Sequence, residues 1–402
     1  MVVCMPAILF IMGASFYLIK TVRRWQGKHM ALVMAVLCTL SNSFINRGGM
    51  TVRCYAMLVF AAAMALYYVY RYFEDEKHYI LLTISLLLLV YSHYFGTLLF
   101  GLLGLYFLVQ IIRKKANIKS LICFIVPGAL FLPWFLMTMT ATSVDVSSFW
   151  IAPPGIKSVV EALGFILGSS YIICAIYGVT FMVAVWDMII LKKRDALLFL
   201  CIAVPVVVIG LIFVYSRFIN PGGGLFENRY FMVLIPCCYL TIIYGISSII
   251  EKIKAHSTAL VRPLMALFGV VALITLGEML YRIYEFGDVE QYARYGYSGR
   301  HIYEEGDVTH DDVLLITTYQ DQVGRICQLG WYDYYFRTKD AEAGHVEIIP
   351  ADEQEDVMDI YMDDVNRVYV FGDTELLNYN EEHYKEVHQA TFYNYTIYEK
   401  ID

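Results

Sequence analysis

The stretch YILLTISLLLLVYSHYFGTLLFGLLGLYFLVQII, residues 79–112, decides the fold because it is almost unbroken apolar sequence. As a single α-helix it would extend about 51 Å at about 1.5 Å per residue, against a bilayer hydrocarbon core of about 30 Å. Two short spans hinged at His93 fit better. A histidine interrupts such a run either because it lines a polar cavity or because it is a structural residue at the hinge.

The composition of the whole chain supports a membrane location. Of 402 residues, 59% are apolar and 17% are charged, which predicts an integral, mainly α-helical, polytopic membrane protein. Hydropathy predicts about ten transmembrane helices. They are expected near residues 4–20, 29–45, 54–71, 79–93, 95–112, 119–138, 170–191, 196–215, 230–250 and 262–281.

The basic residues test this arrangement independently. Sixteen Lys and Arg residues of the apolar part fall in alternate gaps between the expected spans, and five fall in the others. The positive-inside rule therefore puts the sixteen in the cytoplasm and the C-terminal part outside, in a multi-pass protein of the cell membrane. An even number of crossings between Arg71 and Arg113 is required, which supports the hinge at His93.

The chain changes character after residue 281. Residues 282–402 hold 9 Lys/Arg and 27 Asp/Glu, a net charge of about −18, which argues against a nucleic-acid partner. Apolar runs at 311–319, 365–372 and 392–400 predict strands, and 378–390 is expected to be helical. We therefore expect two domains, a transmembrane domain at 1–281 and a small acidic extracytoplasmic α/β domain at 282–402. Within the first, the external loop at about 139–169 should carry an amphipathic interfacial helix, with Val159, Val160, Leu163, Ile166 and Leu167 on one face.

Polar residues gather at the expected outer ends of the spans. They are Arg53 and Tyr55, His93 and Tyr94, and Glu227, Arg229 and Tyr230. Singly, each arginine is a snorkelling anchor and each tyrosine a member of the aromatic belt. Together they would suit a phosphate held at the membrane surface, because the planar guanidinium matches phosphate oxygens.

The order of these motifs resembles a known family. An Arg-x-Tyr-Ala at the start of a span, the HYF hinge, LPW at 132–134 and RYFMVLIP at 229–236 are similar to the GT-C membrane glycosyltransferases of the protein mannosyltransferase and aminoarabinose transferase type. The resemblance covers residues 1 to about 250. It implies transfer of a sugar from a polyprenyl-phosphate donor to a lipid, glycan or protein acceptor on the outer face. With that donor, the residues give the hypothesis that Arg53, His93 and Arg229 bind the donor phosphate, in a pocket lined by Tyr55, Tyr94 and Tyr230.

The chain departs from the family where the catalytic residue should be. The family's general base is an aspartate in the external loop after the first span, and this chain has no counterpart, as though it began at the second span. A second acidic position, two residues before the Arg-x-Tyr arginine, is Thr51 here. Glu227 is the weak remaining candidate for contact with the acceptor or with a divalent cation, and a local salt bridge is its alternative role. Asp145 and Glu161 are expected on a solvated loop and a polar helix face.

Three alternatives to an active transferase follow from these features. A truncated or degenerate member could bind a polyprenyl lipid or a partner subunit without transferring a sugar. A transporter would show polar residues near the bilayer midplane, whereas here they lie mainly at one face. A membrane-anchored sensor would not need ten spans. Nucleotide-binding, zinc-protease and redox motifs are absent from the sequence, and no metal-ligand spacing stands out.

Overall fold

The computed structural model describes most of the apolar part of the chain and, of the acidic part, its strands alone. The described residues are 4–41, 44, 53–75, 77–141, 153–168, 170–193, 195–220 and 225–257, scattered positions between 263 and 281, and five strands between 313 and 400. The chain divides into two compact units, Met1–Arg282 and Ile283–Asp402. Thr51 and Asp145 lie outside the described residues.

The first unit is helical, as its long apolar runs predict. Its α-helices are α1 Met5–Trp25, α2 Lys28–Leu40, α3 Tyr55–Asp75, α4 Tyr79–Ser92, α5 Tyr94–Ile112, α6 Ile122–Ala141, α7 Ile156–Ile166, α8 Tyr171–Ile189, α9 Ala196–Val214 and α10 Ile235–His256. Short 3₁₀ helices at Ile118–Leu121 and Asn228–Leu234 precede α6 and α10, and a π-helical turn at Tyr215–Ile219 follows α9.

Seven helical segments of the described residues are long and apolar enough to cross a membrane. They are Met5–Trp25, Tyr55–Asp75, Tyr94–Ile112, Ile118–Thr138, Tyr171–Ile189, Ala196–Ile219 and Asn228–His256. This is compatible with a multi-pass membrane protein. The expected spans at 29–45 and 79–93 are the shorter helices α2 and α4, of 13 and 14 residues, which extend only about 20 Å each. The count of ten stays a prediction.

The hinge at His93 is confirmed. Helix α4 ends at Ser92 and α5 begins at Tyr94, while His93 between them is extended, with φ −171° and ψ 154°. The Nδ1 atom of His93 accepts a hydrogen bond from the Phe95 backbone N–H at 3.2 Å, so the side chain caps the second helix. A single residue thus turns one long apolar run into two packed helices.

Helices α3 and α10 occupy the centre of the unit. The apolar stretches within Asn228–His256 and Tyr55–Asp75 are 94% and 72% buried, respectively, whereas other helices expose large apolar side chains such as those of Ile80 and Ile112. Small residues allow close packing. A Cβ on Gly245 of α10 would come within 2.6 Å of the Thr180 Cα of α8, so glycine lets these two helices approach closely.

The helix expected within 139–169 is present at Ile156–Ile166, but its buried face differs from expectation. Ile166 is buried, and Val159 and Leu163 pack against the core, as expected. Val160, however, is 64% exposed, while Ala162 is fully buried. The face shifts because α7 packs on the 3₁₀ helix Asn228–Leu234, a contact that periodicity alone does not specify.

The second unit contains a five-stranded mixed sheet in the order β2-β1-β3-β5-β4. Its strands are β1 Val313–Thr317, β2 Glu347–Pro350, β3 Arg367–Phe371, β4 Tyr384–Ala390 and β5 Tyr395–Lys400. Strand β1 runs parallel to β2 and β3, and β5 runs antiparallel to β3 and β4. The three expected strands are confirmed.

The expectation of a helix at 378–390 is wrong over its second half. Residues Tyr384–Ala390 form β4 and pair with β5, with a bulge between Glu386 and His388. The polar pattern suits a helix locally, but the hydrogen-bond ladder to β5 overrides it. The first half of that expected helix, residues 378–383, lies outside the described residues, so the α/β class of this domain stays a prediction.

Candidate functional site

The expected outer-end residues converge where α3 begins, α4 meets α5 and the chain enters α10; we call this region the His93 end. The His93 ring centroid lies 5.1 Å from that of Tyr230 and 5.5 Å from that of Tyr55. Phe95 adds a ring 5.4 Å from Tyr230. Sequence positions nearly 180 residues apart therefore meet in one aromatic cluster.

The backbone fixes the position of this cluster. Gly96, in the first turn of α5, lies so close to the Leu89 carbonyl of α4 that a Cβ there would overlap the carbonyl oxygen and come 3.0 Å from its carbon. Because glycine has no Cβ, the two helices can bend sharply at His93 and hold its ring between Tyr55 and Tyr230. The hinge is thus a packed structure rather than a loose linker.

Two arginines border the cluster. The Arg229 guanidinium carbon lies 5.8 Å from the Tyr230 ring centroid, and its Nε lies 3.7 Å from Glu227 Oε1. Arg53 is exposed, one residue before Cys54 and the start of α3. Both guanidinium groups lie within electrostatic range of the Tyr55 phenol. The structure therefore brings Arg53, Tyr55, His93, Arg229 and Tyr230 to one place, while their phosphate-binding role stays a prediction.

Tyr94 takes a different position from the other two tyrosines. Its side chain is 49% exposed, and its ring lies 6.0 Å from Trp134 of α6. Its contact with His93 is edge-on at 6.3 Å. Tyr94 thus connects the cluster to the LPW segment of α6.

The charge state of His93 follows from its surroundings. Burial, and then the positive charge of Arg229, lower the pKa of His93 to about 4. At neutral pH the ring is uncharged, and because Nδ1 accepts the Phe95 N–H, the proton lies on Nε2. His93 can therefore donate one hydrogen bond to an anion but brings no positive charge.

The described carboxylates at this end all have partners. Glu227 pairs with Arg229, Glu161 lies 3.4 Å from Lys157 Nζ, and Glu278 accepts a hydrogen bond from Ser170 Oγ at 2.7 Å. Within the described residues, no three His, Cys, Asp or Glu side chains form a group that could hold a metal ion. The described residues of the His93 end therefore do not by themselves form a metal site.

A second polar cluster lies at the opposite end of the helices, which we call the basic end because it adjoins Arg113–Lys115 and Lys192–Lys193. Here the Asp187 carboxylate of α8 is fully buried. It accepts hydrogen bonds from Tyr244 Oη at 3.0 Å, Ser248 Oγ at 2.6 Å and Lys252 Nζ at 2.6 Å, and Lys193 Nζ lies 3.3 Å away. Asp187 therefore joins α8 to α10.

From the sequence, Asp187 lies near the cytoplasmic end of an expected span, where a carboxylate can simply reach the membrane interface. In the structure this carboxylate is instead fully buried. A signal was available in α10, where Tyr244, Ser248 and Lys252 recur every four residues and so lie on one helix face. A polar stripe on a central apolar helix requires a buried partner. That the partner is Asp187 depends on how α8 packs.

Comparison with models of known protein families finds no match to this chain, and comparison with curated proteins finds no matching sequence.

Proposed function

We propose that this protein is a membrane glycosyltransferase that moves a sugar from a polyprenyl-phosphate donor to a lipid, glycan or protein acceptor on the extracytoplasmic face. The observation that carries this proposal is the convergence of Arg53 and Arg229 around the Tyr55–His93–Tyr230 cluster. In the orientation that the positive-inside rule favours, this cluster faces outward, together with the acidic unit at 282–402.

The chemistry of the cluster suits a departing phosphate. In the transfer, the bond between the anomeric carbon and the donor phosphate oxygen breaks, and its electron pair stays on the phosphate. Fixed cations near that oxygen stabilise the developing negative charge. Arg53 and Arg229 would supply the charge and His93 Nε2 a neutral donor. The aromatic rings would offer an apolar surface to the first isoprene units.

The acceptor hydroxyl must lose a proton as its oxygen bonds to the anomeric carbon. Glu227 is the candidate base among the described residues of the cluster, but it is paired with Arg229 at 3.7 Å. To act as a base it would have to exchange that contact for the acceptor hydroxyl. Donor phosphate binding to Arg229 would allow this exchange, because the phosphate would replace the carboxylate as the arginine's anionic partner.

A second candidate function is binding of a polyprenyl phosphate without transfer, by the chain itself or with a partner subunit. The observation that favours it is that Glu161, Glu227 and Glu278 are each engaged by a neighbouring side chain. A bound lipid would then be presented or held rather than consumed.

The test is a binding and transfer measurement on the purified full chain in lipid nanodiscs. C55 polyprenyl phosphate should bind tightly, whereas uncharged C55 polyprenol should bind at least tenfold more weakly. Arg229→Ala and Arg53→Ala should each weaken phosphate binding about tenfold, in line with the loss of one charged hydrogen-bonding partner. Arg217→Ala is the matched control, because Arg217 is an exposed arginine at the same end.

Transfer is measured with radiolabelled polyprenyl-phosphate sugars and native membrane extract as acceptor. The transferase function is supported if label appears in the acceptor with the parent chain and does not appear with Arg53→Ala expressed at the same level. Phosphate-dependent binding without any transfer would favour the binding function. Equal binding of polyprenyl phosphate and polyprenol, or normal activity of Arg53→Ala, would overturn the assignment of the cluster.

A further inference from the structure

A cavity of about 850 Å³ lies at the basic end, between the second half of α5 and the first half of α9. Its volume is within the range of small-molecule sites, about 300 to 1,000 Å³. Its walls include Leu102, Tyr106 and Val109 from α5, and Phe199, Ala203 and Val207 from α9. It is separate from the His93 end, because the 19 residues of α5 set the two ends about 28 Å apart.

The cavity opens sideways to the region where lipid would surround the helices. Phe199 and Val207 are 45% and 37% exposed, although both also line the cavity. Tyr106 and Phe199 stack with ring centroids 5.8 Å apart, tying α5 to α9 across it. An apolar cleft with a lateral opening suits a chain molecule that enters from the bilayer.

The rim of the cavity is positively charged. Arg113, Lys115 and Lys193 line it against a single acid, Asp195. Asp195 is already engaged, since its Oδ2 accepts from Trp25 Nε1 at 2.6 Å and its Oδ1 accepts from the Leu198 N–H at 3.0 Å. Within the described residues, Arg113 and Lys115 form no ion pair, so their charges are available to an anion.

One polar side chain lies deeper in the cavity. Gln110 lines it and is only 9% exposed, and its side-chain amide makes no hydrogen bond within the described part of the chain. A buried amide normally has a partner. Gln110 lies three residues before Arg113, which places it about 4.5 Å deeper along α5.

We propose that this cavity binds an anionic glycerophospholipid, with its phosphate at Arg113 and Lys115, its ester region at Gln110 and its acyl chains between α5 and α9. From the rim inward, the cavity is first positively charged, then polar at Gln110, then apolar. A glycerophospholipid has the matching order of phosphate, ester groups and hydrocarbon chains. Basic pockets between transmembrane helices on the cytoplasmic side recognise anionic headgroups by the same physics. A free phosphate ion would leave the apolar walls unfilled.

The experiment titrates phosphatidylglycerol against the purified full chain in detergent and counts bound lipid by native mass spectrometry, with phosphatidylcholine as the neutral-headgroup comparison. Phosphatidylglycerol should bind at least tenfold more tightly than phosphatidylcholine. The double variant R113Q/K115Q should weaken its binding about 30-fold, or about fivefold for each charge removed. Ala203→Phe, which fills the apolar part, should also abolish the preference while leaving every rim charge in place.

Lys114→Gln and Lys254→Gln are the matched controls and should bind as the unaltered chain does, because both lysines lie at the basic end and neither lines the cavity. Size-exclusion profiles establish that each variant is folded. Undiminished phosphatidylglycerol binding by R113Q/K115Q would overturn the proposal. So would competition by chain-free glycerophosphoglycerol at the same concentrations as the lipid, which would show a site for soluble phosphate esters.

Discussion

The His93 end and the basic end of the helical unit both bury polar side chains, but they treat them differently. At the basic end, Asp187 has three hydrogen-bond donors within 3.0 Å and a fourth donor, Lys193 Nζ, at 3.3 Å. At the His93 end the described contacts are mostly between rings. The ion pair beside the rings, Arg229–Glu227, spans 3.7 Å, and the exposed Lys157–Glu161 pair spans 3.4 Å. The Thr97 hydroxyl, one turn after His93, is buried without a hydrogen-bond partner in the described part of the chain.

This difference separates a structural cluster from a candidate binding site. A saturated buried carboxylate has no capacity left for a ligand, and its removal leaves several donors unpaired. A cluster with loose ion pairing and unmet hydrogen-bonding capacity can still accept an anion. We therefore expect substitutions at the basic end to change stability, and substitutions at the His93 end to change binding more than stability.

The largest expected effect is that of Asp187→Ala. Removal of the carboxylate leaves Lys252, Tyr244 and Ser248 without their shared acceptor in a buried place, which should cost about 3 to 5 kcal/mol of unfolding free energy. Thermal unfolding in detergent, followed by circular dichroism, measures it. An unfolding midpoint unchanged from that of the parent chain would show that the cluster is not structural and would remove the contrast between the two ends.

The next effect concerns pH and His93. Its pKa is about 4 in the folded chain and about 6.5 in the unfolded chain, so between these values only the unfolded chain takes up the proton. The free energy of unfolding should therefore fall by about 1.4 kcal/mol per pH unit as pH drops from about 6.5 to about 4. In His93→Gln this contribution should be lost, so the unfolding midpoint should fall less between pH 7.5 and pH 4.5 than it does in the parent chain. Equal pH dependence in both proteins would place the titrating group elsewhere.

Gly96→Ala tests whether the hinge positions His93. The new Cβ would overlap the Leu89 carbonyl, so α4 and α5 must separate at a cost of about 1 to 3 kcal/mol. Polyprenyl phosphate binding should fall by more than this loss of stability explains, because the His93 ring moves away from Tyr230. Gly101→Ala is the control, since a Cβ there meets open space. Equal effects of the two substitutions on binding would contradict a positioning role for the hinge.

The smallest expected stability effect is that of Glu227→Gln. Its pair with Arg229 is partly exposed, so its loss should change the unfolding free energy by less than about 1 kcal/mol. Binding of polyprenyl phosphate should become a few-fold tighter, because Arg229 loses a competing anion. Glu161→Gln removes an exposed pair at the same end and should alter neither property. Weaker phosphate binding by Glu227→Gln would argue against a phosphate at Arg229.

Much of the helical fold could be predicted from residues 79–112 and similar runs, because burial of backbone polar groups in lipid permits little besides helices. The hinge at His93 followed from length alone. The convergence of Arg53, His93 and Arg229 was expected because all three lie at span ends. Their detailed contacts were not expected from the sequence. Tyr94, for example, turns toward Trp134 rather than joining Tyr55 and Tyr230.

The sequence by itself determined the apolar helices, the break at His93, the strands at 313–317, 367–371 and 395–400, and the opposite charge of the two parts of the chain. These features depend on local composition and periodicity, which act over a few residues. Only the tertiary structure decided that Asp187 is fully buried against α10, that Val160 faces outward and that residues 384–390 pair as a strand. Each of these depends on a partner distant in sequence, whose position is fixed by packing or by a hydrogen-bond ladder rather than by its neighbours in the chain.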